Sequence, residues 1–317
     1  MKLSGRSSRA AALIAGLCLS LAGSVTAQGA AAPVLGWTPK PTTLTPYTAP
    51  HKAWTKLSDV LAAHRGQASW RQEVVNDKHM IAAWVQSAPG TKTKSRMFAD
   101  TRYAMIVWDG EVRVSIQGQE PFVARKGFIV QVPFRVPFTL ETVGTKPSLM
   151  FEALPQTPVT IYSADETPPA APPGTAWYKA RLQGQDTYER QQAPNEPWRS
   201  KPYFDFFGSV ATLPGGTKSV VRDDRMVWNV IRGQGIPRQP DTVKGHFHLD
   251  YSEFWLIAEG KISYLIEGMD YFEAEPGDVV YVPPGRFHRA QFAGSGMSTR
   301  MPINGFPSGS HHFDPDE

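Results

Sequence analysis

Cysteine is nearly absent from this 317-residue chain, which contains a single one, Cys18. Cys18 lies in an N-terminal segment that we expect to be cleaved, and the residues before it lack the usual order of a lipoprotein site. A mature chain without cysteine cannot form disulfides and cannot use a thiol nucleophile. The sequence therefore excludes a disulfide-stabilised scaffold and a cysteine-dependent enzyme, and it predicts no membrane anchor.

The apolar run near the N-terminus, Ala10–Ala22, is too short to span a bilayer, which needs about 20 apolar residues. Basic residues precede this run and small residues follow it, namely Lys2, Arg6 and Arg9 on one side and Val25-Thr-Ala27 on the other. This order is typical of a Sec-type signal peptide, residues 1–27, with cleavage near Ala27. We therefore expect a periplasmic or secreted protein.

An excess of charge of either sign is also lacking. The full chain has 33 basic and 29 acidic residues, and three of the basic ones lie in the signal peptide. The mature chain therefore has 30 basic residues against 29 acidic ones. A nearly neutral chain gives no electrostatic reason to bind nucleic acid or an anionic membrane surface. The expected partner is a small-molecule substrate.

Three of the eight histidines belong to one pattern that also contains a glutamate. His246 and His248 are two residues apart, Glu253 follows shortly, and His288 comes later. Side chains two apart on a β-strand point to the same face, so His246 and His248 can reach one point. A carboxylate and a third imidazole from neighbouring strands would complete a site for a single metal ion.

Glycines and a proline accompany these residues, and the whole resembles the two conserved motifs of the cupin superfamily. The first motif is matched by Gly245, His246, His248, Glu253 and Gly260, and the second by Gly277, Pro283, Gly285 and His288. The resemblance covers about the last third of the chain. It implies an all-β fold of cupin (double-stranded β-helix or jelly-roll) barrels and a metal held by the three histidines and the glutamate. A metal-free pocket, or a metal that only stabilises the barrel, is the alternative.

An internal repeat at an offset of 150 residues predicts a second barrel. The segment 108–118 aligns with 258–268, and the register continues without a gap to Pro133 against Pro283. At the same offset, His246, His248, Glu253 and His288 fall on Arg96, Phe98, Tyr103 and Phe138. We therefore predict a bicupin, with two tandem barrels and metal motifs only in the C-terminal one.

The sequence predicts six consecutive parts. They are the signal peptide (1–27), an N-terminal extension with a short helix near residues 54–64 (28–78), a degenerate barrel without a metal (79–155), a proline-rich connector (156–210), the metal-binding barrel (211–308) and a solvated tail (309–317). The helix is predicted from apolar residues at helical spacing, Trp54, Leu57 and Leu61. Exposed strand edges and the long N-terminal extension are compatible with a homodimer, which stays an open alternative.

Three nitrogens and one oxygen suit one divalent transition metal per chain, with positions left for water or substrate. Iron or copper is favoured, while manganese, nickel and zinc use the same ligands. The resemblance makes Glu253 the candidate catalytic residue, which either stays on the metal or acts as a base. Nearby candidates for contact with a ligand or substrate are Asp250, Tyr251, Arg286 and Lys244, among which Asp250 is expected to orient an imidazole and Arg286 to bind an anion.

The leading functional hypothesis is an exported metal-dependent oxygenase of the dioxygenase type. Its substrate would be a small organic compound, with aromatic compounds among the candidates. Two alternatives remain open. One is a non-redox lyase, decarboxylase or isomerase that acts on a small acid, and the other is a non-catalytic protein that uses the metal to hold a ligand.

Overall fold

The computed structural model describes residues 34–188, 201–209, 215–305 and 309–315. Residues 34–37 belong to a separate N-terminal unit, residues 1–37, and are exposed and without regular secondary structure. The predicted signal peptide, residues 1–27, lies outside the described residues. None of the helices in the described ranges is long and apolar enough to cross a membrane. The elements below belong to the second unit, residues 38–317.

The described residues form 22 strands and two short helices. In the first part of the chain these are β1 (Trp54–Thr55), α1 (Leu57–Ala63), β2 (Trp70–Asn76), β3 (Met80–Ser87), β4 (Arg96–Phe98), β5 (Tyr103–Asp109), β6 (Glu111–Ile116), β7 (Phe122–Arg125), β8 (Phe128–Val132), β9 (Phe138–Val143), β10 (Ser148–Pro155), β11 (Thr160–Tyr162), β12 (Tyr203–Asp205) and α2 (Phe206–Ser209). Then follow β13 (Gly216–Arg222), β14 (Val227–Gln234), β15 (His246–Phe247), β16 (Glu253–Glu259), β17 (Lys261–Ile266), β18 (Phe272–Ala274), β19 (Val279–Val282), β20 (His288–Ala293), β21 (Met297–Asn304) and β22 (His312–Phe313).

These strands form two barrels, each made of one six-stranded and one five-stranded sheet. In barrel 1 the strand orders are β12-β8-β5-β10-β3-β2 and β11-β4-β9-β6-β7, and in barrel 2 they are β1-β19-β16-β21-β14-β13 and β18-β17-β20-β15-β22. Strand β6 shows why these segments fold in this way, because Val112, Val114 and Ile116 are buried while Glu111 and Arg113 between them are exposed. The predicted all-β fold with two tandem barrels and a short N-terminal helix is confirmed.

The 150-residue repeat is reproduced in the pairing of the strands. Equivalent partners are Arg96–Phe138 and His246–His288, Ile116–Phe138 and Ile266–His288, and Tyr103–Val132 and Glu253–Val282. The same backbone frame therefore surrounds the four predicted ligands in barrel 2 and their non-ligating counterparts in barrel 1.

The two barrels exchange a strand and a helix. Strand β1 lies in the predicted N-terminal extension but pairs with β19 of barrel 2, and Leu57 of α1 packs where Gly277 leaves no room for a Cβ atom. Strand β12 lies in the predicted connector and pairs with β8 of barrel 1, and Phe207 of α2 packs on Gly127 in the equivalent way. This exchange takes place within one chain.

Three predicted boundaries therefore fall inside the barrels. Strand β2 begins at Trp70 and pairs with β3, so barrel 1 starts before residue 79. Strands β11 and β12 lie within residues 156–210 and extend the sheets of barrel 1. The described residues 309–315 of the predicted solvated tail are exposed or partly exposed, and β22 among them pairs with β15. The physical reason is common to all three, because each segment satisfies backbone groups that a sheet edge leaves unpaired.

The six-stranded sheets of the two barrels share one apolar core. Phe151 of barrel 1 and Trp228 of barrel 2 meet in it edge to face, with ring centroids 6.4 Å apart. Alternate residues of β16 divide between two cores: Phe254 packs in the shared core and Trp255 packs inside barrel 2. Because side chains alternate along a strand, Glu253 lies on the same side as Trp255 and points into barrel 2.

Candidate metal centre

The four predicted metal ligands converge inside barrel 2. His246 on β15 lies opposite His288 on β20, and Glu253 is the first residue of β16. Their ligand atoms and that of His248 all lie within 4.8 Å of one another. The Oε2 atom of Glu253 is 2.9 Å from Nε2 of His248, 3.2 Å from Nε2 of His288 and 3.8 Å from Nε2 of His246. Across the described ranges, no other group of three or more His, Cys, Asp or Glu residues comes this close together.

Two glycines of the motifs allow the ligands to meet. Gly245 has a φ of 82°, and a Cβ atom there would overlap the carbonyl oxygen of His288, so only glycine lets β15 approach β20 at this point. Gly285 has the same φ, and its N–H donates to the carbonyl oxygen of His248 at 2.7 Å. That hydrogen bond connects the turn before β20 to the His-x-His segment.

Backbone carbonyls determine which nitrogen of two imidazoles faces the centre. Nδ1 of His248 lies 2.8 Å from the carbonyl oxygen of Ser310, and Nδ1 of His288 lies 3.0 Å from that of Arg286. A carbonyl oxygen only accepts, so Nδ1 carries the hydrogen in both rings. In a neutral imidazole the lone pair is then on Nε2, which is the atom that faces Glu253. This is the arrangement of an imidazole that binds a metal through Nε2.

The ionisation of the cluster also suits a cation. Burial alone would raise the pKa of Glu253, but the surrounding imidazoles outweigh it and hold this pKa well below its usual range. Burial lowers the pKa of His246, which favours the neutral ring. Nε2 of His246 is buried, and it has no hydrogen-bond partner among the described residues. A neutral His246 ring beside an ionised Glu253 carboxylate is the state that metal binding requires of these two groups.

The distances agree with a single ion bound at this point. Metal–nitrogen and metal–oxygen bonds of about 2.1 Å place two ligand atoms about 3 Å apart when they are adjacent on the metal and about 4.2 Å apart when they are opposite. The separations of 2.9, 3.2 and 3.8 Å around Glu253 fall within these limits. Without a proton or a metal ion between them, the same atoms would oppose lone pair to lone pair. The cluster therefore suits a single metal ion.

Tyr251 contacts the cluster directly, whereas the carboxylate of Asp250 does not. The hydroxyl of Tyr251 lies 3.3 Å from Nε2 of His248, and the two rings stack at 4.3 Å between centroids. Burial raises the pKa of Tyr251, so its hydroxyl stays protonated. The carboxylate of Asp250 does not contact a ligand imidazole and instead accepts from Oγ of Ser310 at 3.0 Å. The carbonyl oxygen of Ser310 accepts from the imidazole of His248, so Ser310 links Asp250 to that ring.

Arg286 and Lys244 are not directed into the site. The guanidinium of Arg286 donates to the carbonyl oxygens of Glu267 and Thr45 at 2.6 and 2.7 Å, which corrects the expectation that it binds an anionic substrate. The contribution of Arg286 to the site is its backbone carbonyl oxygen, which accepts a hydrogen bond from the imidazole of His288. Lys244 forms an ion pair with Asp314 of the tail.

The tail supplies groups that the sequence interpretation left out. It carries the carbonyl of Ser310 that orients His248, and it is held to the barrel by the pairing of β22 with β15. The ring of His311 lies 4.6 Å from that of His246 and 4.5 Å from that of His248, between centroids. The His-His-Phe sequence was the available signal, but a segment beyond the last barrel strand has no register that the sequence reveals.

Removal of the tail tests its role. A chain that ends at residue 308 is expected to bind its metal about 10- to 100-fold more weakly, since loss of the group that orients a ligating imidazole has this effect. A competition titration with a chromogenic chelator measures the affinity. The matched control is Phe313→Ala, which keeps the backbone carbonyl of Ser310 and should leave metal affinity within about threefold. Equal affinities of the truncated and full-length chains would contradict the role given to Ser310.

The ligand cluster opens on a cavity of about 350 Å³ inside barrel 2. This volume lies within the range of small-molecule sites. The apolar part of its wall is formed by Ile231, Val243, Trp255, Ala290 and Phe313, and the polar part by Gln239, Arg289, Arg300 and His311 besides the predicted ligands. The loop that precedes His246 therefore contributes to the wall, and the guanidinium of Arg289 holds it by donating to the carbonyl oxygen of Pro240 at 2.8 Å.

Aromatic side chains occupy the equivalent place in barrel 1. The rings of Tyr103 and Phe138 lie 4.7 Å apart, and Phe98 packs on both. The hydroxyl of Tyr103 donates to Oε1 of Glu152 at 2.5 Å, and the guanidinium of Arg96 lies over the ring of Phe98. The three aromatic side chains and Arg96 occupy in barrel 1 the positions that the four predicted ligands have in barrel 2.

Comparisons with known proteins identify the fold. No protein-family model and no curated protein sequence matches the chain. The structure is similar to the cupin 2 conserved barrel domain protein from Leptotrichia buccalis, with a TM-score of 0.51 and 9% identity over 79% of this chain and 94% of that chain. It is also similar to a variant of the salicylate 1,2-dioxygenase from Pseudoaminobacter salicylatoxidans in complex with gentisate, with a TM-score of 0.57 and 13% identity over 84% and 83% of the two chains. A third similar structure is the oxalate decarboxylase from Lactobacillus farciminis in complex with formate, with a TM-score of 0.50 and 15% identity over 86% and 91%. The chain therefore has the two-barrel cupin fold.

Proposed function

We propose that this chain is an exported, mononuclear metal-dependent enzyme of the dioxygenase type that acts on a small organic substrate. The observation that carries the proposal is the convergence of three imidazoles and one ionised carboxylate at a cavity of about 350 Å³. A metal there would have protein ligands on one side and the cavity on the other, which leaves positions for small molecules. The proposed export rests on the pattern of residues 1–27.

Each side chain of the site has a role in this proposal. His246, His248 and His288 are neutral ligands, and a bound iron or copper ion would supply the redox chemistry with dioxygen. Glu253 is held ionised, so it can stay on the metal or take a proton from a substrate hydroxyl. The protonated hydroxyl of Tyr251 can donate a hydrogen bond beside them.

The walls of the cavity support a planar substrate. Trp255 and Phe313 contribute aromatic surface, and Trp255 lies edge to face with His288 at 5.5 Å between centroids. The salicylate 1,2-dioxygenase structure that resembles this chain contains gentisate, an aromatic acid, and it superposes with a higher TM-score than the oxalate decarboxylase. The aromatic wall of the cavity and the similarity to a dioxygenase that binds gentisate support an aromatic substrate in this proposal.

Metal content and oxygen uptake test the proposal. The chain is purified without a histidine tag, bound metal is measured by elemental analysis, and oxygen consumption is followed with phenolic and dicarboxylic compounds. We expect about one iron or copper per chain and substrate-dependent oxygen uptake that His288→Ala abolishes. Turnover without oxygen demand, with manganese or zinc bound, would establish the lyase or decarboxylase alternative. Ligand binding without turnover would establish the non-catalytic one.

A further inference from the structure

Arg300 differs from the other arginines of the cavity region in having few partners. It lies on β21, where it pairs with Ile257 of β16, and its side chain lines the cavity together with the ligands. Its only hydrogen bond to the described residues runs from Nη1 to the carbonyl oxygen of Ala290, at 2.7 Å. The Nε atom is buried and has no partner there.

No carboxylate of the described residues neutralises Arg300. By contrast, Arg232 on the neighbouring strand forms an ion pair with Glu259 at 3.0 Å, and the guanidinium of Arg289 is occupied by backbone carbonyls of the preceding loop. Arg300 is partly exposed, but its Nε is buried without a partner, and a guanidinium with no counter-ion gains from a ligand that supplies the missing charge and acceptors. Arg300 therefore has donors available and a charge to be matched at the wall of the cavity.

The position of Arg300 matches a small ligand that also reaches the metal centre. Ala290, which holds its guanidinium, follows His288 by two residues on β20. Residues two apart on a strand face the same side, and their Cα atoms lie about 7 Å apart. A small organic acid can span this distance, with its carboxylate at Arg300 and its other end at the ligand cluster. Trp255 lines the same cavity, with its ring centroid 5.5 Å from that of His288.

We propose that Arg300 is the carboxylate-binding residue of the cavity, and that the substrate is an organic acid whose carboxylate is held away from the metal. This inference rests on the proposed function for the role of the metal centre. It assigns the substrate class and orientation: a charge-assisted pair with Arg300 at one end, an apolar body beside Trp255, and the reacting part at the cluster of three imidazoles and Glu253.

Binding of matched probes tests this inference. Benzoate and its uncharged isostere benzamide, with hexanoate and hexanamide as a second pair, are titrated by calorimetry under argon into the metal-loaded and the chelator-treated protein. We expect the wild-type chain to prefer each acid in both states. Arg300→Met should weaken binding of the acids by roughly 10- to 100-fold, the range of a hydrogen bond to a charged group, and should change binding of the amides by less than about threefold.

Two further variants complete the experiment. Arg238→Met removes one positive charge from the same barrel at an exposed ion pair with Asp241, so it should leave the preference for acids unchanged. Arg300→Lys keeps the charge and should retain part of the preference. Urea unfolding shows whether each variant is folded.

Several outcomes would overturn the assignment. In one, chelation of the metal abolishes the preference of the wild-type chain for acids, and the metal-loaded Arg300→Met variant keeps it. The carboxylate would then bind the metal and not Arg300. The assignment is also refuted if the wild-type protein binds neither the acid nor the amide of each pair, or binds the two with the same affinity. Because dioxygen is absent, the result does not depend on turnover. A chain that binds acids through Arg300 but consumes no oxygen keeps this inference and loses the proposed dioxygenase function.

Discussion

Replacement of His248 by alanine is expected to lower the affinity of barrel 2 for its metal by about 100-fold, so that dialysis leaves well under one ion per chain. Sites with four protein ligands bind structural zinc with roughly 10–16 kcal/mol, and a quarter of this is about 3 kcal/mol. His248 is almost fully buried at 2% exposure, so water cannot easily take its place as a ligand. Elemental analysis and a chelator competition titration measure the loss.

The matched control lies at the equivalent position of barrel 1. Phe98→Ala removes a packed ring and is expected to cost about 3–5 kcal/mol of folding free energy, with metal content per folded chain unchanged. If the Phe98→Ala variant does not fold, Phe98→Leu serves as the control, because it removes less buried volume. Metal lost from the Phe98 variants and kept by the His248 variant would show that the site has been assigned to the wrong barrel.

Replacement of Arg102 by alanine is expected to destabilise the fold by about 3–5 kcal/mol. The side chains of Arg102 and Asp186 are both 0% exposed, and Nη2 of Arg102 lies 3.0 Å from Oδ2 of Asp186. The guanidinium also donates to Gln131 at 3.1 Å and to the carbonyl of Thr187 at 2.9 Å. Its removal leaves a buried carboxylate without its counter-charge and removes contacts that join Asp186 and Thr187 of the connector to barrel 1. Urea denaturation measures the change.

Two comparisons show whether burial is the cause. The pair of Arg113 and Glu141 lies on the same barrel but is partly exposed, at 49% and 29%, so Arg113→Ala should cost less than about 1 kcal/mol. The double variant Arg102→Met with Asp186→Leu removes both charges and should recover most of the stability lost in Arg102→Ala. If Arg102→Ala and Arg113→Ala lower the free energy of unfolding by the same amount, burial of the Arg102–Asp186 pair does not increase its contribution to stability.

The ligands and the repeat could be predicted because both are local or in register along the chain. His246 and His248 share a face through the two-residue period of a strand, and the 150-residue offset compares two copies of one pattern. The structure brings His246 and His288 together as partners on adjacent strands. It places Arg96 and Phe138 together in the same way in barrel 1. These relations do not depend on how the sheets close.

The edges of the sheets could not be predicted in this way. Strand β1 pairs with a strand more than 200 residues later, and β12 returns to barrel 1 from the connector. Short segments of two or three residues have no periodicity of their own, and an unpaired edge accepts any extended segment that can reach it. The tail with Ser310 and His311 belongs to the same class, which is why its contact with the metal centre was missed.

Sequence alone thus predicted the four residues of the candidate metal cluster, the two-barrel plan and the absence of these residue types from the equivalent positions of barrel 1, because alternation and register are properties of the chain itself. Tertiary structure alone decided which side chains surround those ligands. Arg286, two residues before His288, donates to the carbonyl oxygen of Thr45, whereas Arg300, twelve residues after His288, lines the cavity. Distance along the chain sets neither the direction of a side chain nor its hydrogen-bond partners, which depend on the strands packed around it.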